Sequence, residues 1–244
     1  MFISIIVPAY NEEKSIKKSV TEILSFIEQR SIEGEIIVVD DGSQDRTAFL
    51  VKEISNENSN VQIISLEKNQ GKGFAVKTGI LAARGDICGF TDADGASPIE
   101  ELDRVLPLFD EEVDIVIGSR AKFSEETKVQ VLLYRKIIGR IFNFILGLLI
   151  SVYDRHGKKV EDTQCGFKWF RRKVGQEIFS QTKIKGFAFD VEALFLANRF
   201  QFKIEELPIN WVEKGDSRVN LMVDPIKMFW QVATIRFLHH GLTR

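Results

Sequence analysis

The chain has only two cysteines, Cys88 and Cys165, far apart and without a CxxC spacing. That excludes a disulfide framework and a cysteine-based zinc site, and it fits a reducing compartment. Prolines are scarce as well, five in 244 residues. No stretch is of low complexity and no internal repeat recurs. No apolar run reaches the roughly 20 residues that span a bilayer. The longest, within 134–153, is interrupted by Arg140, Asn143 and two glycines. Residue 1 leads straight into the strand-like Phe2-Ile3-Ser4-Ile5-Ile6-Val7, so no secretory signal is expected. What is present is 44% hydrophobic residues, enough to build a sizeable core in one α/β domain, alone or with an appendage.

The net charge of −2 conceals a strong asymmetry. Residues 1–118 hold 11 basic and 22 acidic side chains, residues 119–185 hold 15 and 6, and residues 186–244 hold 7 of each. A basic middle third points to an anionic partner: phosphates, a membrane surface or nucleic acid. The positive charge lies on an unusually apolar stretch without an RNA- or DNA-binding motif, which argues against nucleic acid.

Strand and helix signals alternate through the first half. Phe2–Val7, Glu35–Val39, Val61–Leu66, Asp86–Thr91 and Val113–Gly118 read as strands. Helical spacing follows in Ile16–Ile27, near Arg46–Ile54, after Gly73 and over Pro98–Phe109. This order predicts an α/β fold with a mostly parallel sheet covered by helices. Ligands then sit at the carboxyl ends of the strands, where the loops at Pro8, Asp40, Asn69 and Asp92 should converge. The second half holds the apolar, basic-flanked 134–153 segment and a similar Pro225–Leu238. Each reads either as a helix lying in a membrane interface or as a buried core helix.

Four loop motifs carry chemistry. Asp92-Ala93-Asp94 leaves a strand with two carboxylates one residue apart, able to approach one hard divalent cation such as Mg²⁺ or Mn²⁺. Pro8-Ala9-Tyr10-Asn11-Glu12 offers an aromatic ring and a carboxylate to a nucleobase. Asp40-Asp41-Gly42-Ser43 offers a carboxylate for the N3–H of uracil and a glycine for close backbone approach. Asn69-Gln70-Gly71-Lys72-Gly73 can bring Lys72 to a phosphate. It is not a Walker A loop, because Gly73 stands where Ser or Thr belongs. Each motif alone also reads as an ordinary turn or helix cap.

Together, in this order and each at a strand exit, the four resemble family 2 glycosyltransferases of the GT-A fold. Later motifs resemble the polyprenyl-phosphate glycosyltransferases: Gly118-Ser119-Arg120, Arg135, the DTQCGFK run of 162–168, the FDVE run of 189–192 and Arg218. Among these, DADGAS, DTQCGFK and FDVE are closest to the dolichyl-phosphate β-glucosyltransferases, with the mannose synthases next. The resemblance implies inverting transfer from a nucleotide sugar, UDP-glucose first, to a polyprenyl phosphate. It implies Asp92 and Asp94 for the cation, and Arg120, Arg135 and Arg218 to position the acceptor phosphate. Asp162 either orients the acceptor or an arginine, or is a structural ion-pair partner. Asp190 and Glu192 are possible sugar contacts. The expected layout is a donor half, 1–120, and an acceptor half with interfacial helices, 121–244. The expected location is peripheral, on the cytoplasmic face of a membrane. Two departures stand out. Ala96 replaces the third metal ligand of the mannose synthases, and no counterpart of the membrane-spanning first helix of the eukaryotic glucosyltransferases is expected. Three alternatives stay open: a GDP-mannose donor, a sugar hydroxyl as acceptor, and an inactive nucleotide- or membrane-binding module.

Overall fold

The computed structural model describes residues 1–122, 124, 127–130, 150–212, 214 and 224–242. Its centre is a seven-stranded sheet in the order β3-β2-β1-β4-β7-β5-β8. The strands are β1 (Phe2–Ala9), β2 (Glu33–Asp40), β3 (Val61–Ser65), β4 (Ile87–Phe90), β5 (Ile115–Ser119), β7 (Lys168–Arg171) and β8 (Ile204–Pro208). A separate parallel pair joins β6 (Val129–Gln130) to β9 (Trp211–Val212). Helices are α1 (Ile16–Gln29), α2 (Thr47–Glu57), α3 (Lys72–Ala82), α4 (Leu102–Val105), α5 (Arg172–Gln181), α6 (Phe189–Arg199) and α7 (Asp224–Leu238).

The central strands are apolar on both faces because helices cover both. Ile5, Val7, Ile36 and Val38 face α1 and α2 across a core with Val20, Ile23 and Val51. Ile6, Ile37 and Val39 face the opposite core with Val76, Ile178 and Leu194. Four rings, Phe90, Phe170, Phe179 and Phe189, pack through that second layer at centroid distances of 5.5–6.5 Å. Each fully buried ring stabilises the fold by about 1.5–3 kcal/mol.

One sequence expectation changes, and one motif takes a form the sequence left open. The helix expected over Pro98–Phe109 is only the one turn of α4 between 3₁₀ turns Ile99–Glu101 and Leu106–Asp110. Pro107 has no N–H to return to Asp103, which stops the α-helix there. The run around Lys168 reads as a motif, yet it forms β7, antiparallel to both β4 and β5. The segment expected to lie in the interface within 134–153 falls, from 131 to 149, outside the described residues.

Candidate active site

Because β7 runs against its neighbours, its amino end lies at the carboxyl ends of β4 and β5. The turn 162–167 therefore joins the loops after β1, β2, β4 and β5 at one edge of the sheet. Hydrogen bonds link these loops in series. Asn11 N–H donates to Ser43 Oγ at 2.9 Å and Gln44 N–H donates to Asn11 Oδ1 at 2.8 Å. Buried Asp41 accepts from Gln70 N–H at 2.7 Å and Gly71 N–H at 2.8 Å. Lys72 Nζ reaches Asp92 Oδ1 at 2.5 Å. The root of that lysine is fixed by Gly71, whose φ of +102° is open to glycine but rarely to other residues.

Asp92 lies flat against Gly166. A Cβ on Gly166 would stand 2.0 Å from Asp92 Oδ2 and 2.5 Å from Oδ1. The turn before β7 thus walls one side of this carboxylate, and Lys72 holds one of its oxygens. Asp94 accepts from Ala96 N–H at 2.9 Å. Burial, and then the charge of Asp92, push the Asp94 carboxyl above its usual range. A hard cation beside both carboxylates would relieve that proton affinity, so the donor set fits such an ion. Among the described residues no group of three or more His, Cys, Asp or Glu is placed to hold a metal. Ala96, 2% exposed, contributes its N–H to Asp94 and no ligand. Burial would lower the Lys72 ammonium, but Asp92 and Asp190 raise it above its usual value, so it remains charged.

About the next strand exit lies a second pair. Arg120 Nε and Nη2 donate to Asp162 Oδ2 and Oδ1 at 2.7 and 2.9 Å, and the Arg120 N–H adds a third bond at 3.0 Å. Its guanidinium also lies 5.5 Å from the Trp211 ring centre. Burial would raise the Asp162 carboxyl, but the Arg120 charge and bonds outweigh it and bring it down to about 2. Glu206 on β8 supports the same turn by accepting from Asp162 N–H at 2.9 Å. Behind both pairs, fully buried Lys168 donates to Asp190 Oδ1 at 2.5 Å and Cys165 O at 2.7 Å.

The profile of Glycosyl transferase family 2 matches residues 4–179. The chain belongs to this family. Over 97% of its length it is 36% identical to a dolichyl-phosphate beta-glucosyltransferase of Dictyostelium discoideum, covering 74% of that protein. The human enzyme of that name is 34% identical over 89% of this chain and 69% of its own length. Among solved structures, glucosyl-3-phosphoglycerate synthase from Mycobacterium tuberculosis, in complex with Mn²⁺, UDP and phosphoglyceric acid, superposes with a TM-score of 0.67. It is 20% identical and covers 99% of this chain and 79% of that one. Mannosyl-3-phosphoglycerate synthase from Rubrobacter xylanophilus gives 0.68 at 19% identity, over 100% and 76%. The fold is GT-A, and the protein is a glycosyltransferase.

The structure brings Pro8, Ala9, Tyr10, Glu12, Asp40, Asp41, Gly42, Lys72, Asp92, Ala93, Asp94, Arg120 and Asp162 to one edge of the sheet. Tyr10 is half-buried. Asp41 spends both oxygens on backbone N–H groups of the Asn69–Gly73 loop, and Asp162 spends both on Arg120. Asp190 ion-pairs with Lys168 inside the protein. Glu192, fully buried, accepts from the N–H groups of Lys183 and Ile184 and lies 2.7 Å from His239 Nε2, in the helix layer. Arg135 and Arg218 lie outside the described residues. Sequence reasoning missed Gly166 and Lys168 as individuals. Their signal was a lysine inside an apolar strand, which requires a buried partner, and a glycine at a turn facing the two-carboxylate loop.

Proposed function

We propose that the protein transfers glucose, with inversion, from UDP-glucose to a dolichyl-type polyprenyl phosphate at the cytoplasmic face of a membrane. The observation that carries this reading is Arg120. Its guanidinium is locked in orientation by buried Asp162 yet keeps 30% of its side chain exposed, one strand exit from Asp92 and Asp94. Such a fixed, partly open cation suits a phosphate acceptor better than a sugar hydroxyl. The relatives' name supports the lipid and the sugar.

Tyr10 and Asp40 would meet the base, and Lys72 the diphosphate. Asp94 with Asp92 would hold a divalent cation, Mg²⁺ or Mn²⁺, which would supply charge neutralisation on the departing UDP. The acceptor phosphate has a second pKa of about 6 and is already an anion near neutrality. Its oxygen forms the new bond to the anomeric carbon as the bond to UDP breaks, so the site needs positioning cations more than a base. Arg120 does this with Arg135 and Arg218. Residues 1–120 form the donor half and 121–244 the acceptor half. On α7, exposed Trp230 and Phe237 lie seven residues apart, hence on one face, with exposed Lys227 and Arg236 beside them. Aromatic rings with flanking cations suit a headgroup layer. Among the described residues no helix is long and apolar enough to cross a membrane.

The test is transfer of radiolabelled sugar to a polyprenyl phosphate in detergent with Mg²⁺ or Mn²⁺, with Asp94→Asn as control. Lipid-soluble label from UDP-glucose, falling at least about 10³-fold in the variant, is expected. Label from GDP-mannose alone would overturn the sugar. Label on a glycan hydroxyl alone would overturn the acceptor and the work given to Arg120.

A further inference from the structure

Two cations have reason to occupy Asp92. One is the ion that the adjoining carboxylates fit; the other is Lys72, already there at 2.5 Å. Asp92 sits on a short stem and cannot turn toward Gly166, which walls one side of its carboxylate. Lys72 has the longer reach. Its backbone is pinned where α3 begins, but its ammonium ends a flexible four-carbon stem. A carboxylate neutralised by an ammonium attracts a second cation weakly. A diphosphate carries more negative charge than one carboxylate and can draw the ammonium off.

We propose that Lys72 is a gate on Asp92: it closes that carboxylate to the divalent cation until the donor's diphosphate takes the ammonium away. Cation binding then follows donor binding and is strengthened by it. The inference rests on the reading of the pocket as a nucleotide-diphosphate site, and it adds an order of assembly. Charge is conserved at each step. The ammonium exchanges a carboxylate for a phosphate, and the cation takes the carboxylate released. The exchange spares the protein from holding a cation tightly at an empty pocket, where inorganic phosphate or carboxylates could follow it in.

The test measures Mn²⁺ binding to the full chain from the paramagnetic resonance signal of the free ion, first without nucleotide. Lys72→Met should bind Mn²⁺ about 10-fold more tightly than the parent, because Asp92 is released. Removing any nearby positive charge would help a cation somewhat, so the decisive comparison uses Asp92→Asn as background. There, adding Lys72→Met should change Mn²⁺ affinity by less than about 3-fold, as expected when the two residues act as a pair. An equal gain in both backgrounds, or no gain in either, overturns the gate. If Lys72→Met does not fold, Lys72→Gln serves the same comparison.

UDP is then added. Linkage requires that UDP and Mn²⁺ strengthen each other by the same factor, about 100-fold in the parent and about 10-fold less than that in Lys72→Met. An undiminished factor in the variant sinks the exchange. Failure of UDP to bind the parent protein would instead sink the donor reading, and the Mn²⁺ comparison without nucleotide would still decide the gate.

Discussion

Lys72 meets Asp92 through one nitrogen and one oxygen, with both side chains about one-quarter exposed. Arg120 meets Asp162 through two nitrogens and a backbone N–H, and Asp162 is 2% exposed. The two pairs are neighbours at one edge of one sheet, yet they are built for opposite behaviour. The first is a point contact between an ammonium on a flexible stem and a carboxylate that water can reach. It can be exchanged at little expense. The second is a planar fork on a buried carboxylate that also accepts from Gln164 N–H at 3.1 Å, in a turn supported from β8 by Glu206. It can be broken only by leaving a charge buried. On the reading above, the donor side must open and close around a leaving diphosphate, while the acceptor side must present one cation in one direction.

Removing each cation is the strongest way to break that comparison. Arg120→Met strands Asp162 without its partner, which should destabilise the fold by about 3–5 kcal/mol. Lys72→Met leaves a carboxylate that water can solvate, and should cost about 1 kcal/mol or less. Urea unfolding of both variants beside the parent gives the two values. Similar losses would show that the pairs do not differ in kind.

Much of this edge was legible in the sequence, for a definite reason. A parallel sheet puts its loops at one end, so motifs that follow apolar runs in register with strand ends converge whatever the details. That logic located Pro8 to Glu12, Asp40 to Ser43, Lys72 and Asp92 to Asp94. It failed at β7, because an antiparallel strand delivers the residues before it, not after it, to the same edge. Buried Lys168 also disguised that strand, since its charge is satisfied by Asp190, 22 positions away. Asp41 was legible as part of this edge but not in its contacts. Whether a carboxylate faces a ligand or the backbone of Gln70 and Gly71 depends on a loop path that spacing does not encode.

Gly166 sharpens the comparison from the other side, since it touches Asp92 while belonging to the turn that carries Asp162. Gly166→Ala would place a methyl 2.0 Å from Asp92 Oδ2, closer than any real contact, so the carboxylate must shift. A displacement of that order at a reacting centre lowers rate about 10²-fold. Transfer kinetics should show that loss in kcat, while the Arg120–Asp162 pair and most of the thermal stability survive. A large fall in Tm with it would mean that the turn, and not Asp92, had given way.

The smallest effect is the most specific to the acceptor side. Asp162 titrates at about 2 in the folded protein against 3.8 as its ordinary value. Its folded pKa is depressed, so the stabilisation is fully present above pH 3.8 and is lost as pH falls through about 2. The displacement corresponds to roughly 2 kcal/mol. Four other carboxyls, buried or half-buried, shift the opposite way: Asp41, Asp94, Asp190 and Glu206 are all raised, chiefly by loss of solvent. Their contribution is present at low pH and fades as pH rises through their folded values, which masks Asp162 in the parent protein's own profile. Subtracting the profile of Asp162→Asn removes them, because both proteins retain them. The stability gap between parent and variant should therefore be flat from pH 7 to about 5 and narrow by about 2 kcal/mol toward pH 2. A gap that stays constant over that range would mean that Arg120 is held by shape and hydrogen bonds without the charge of Asp162, and the acceptor-side pair would lose its claim to be a locked ionic unit.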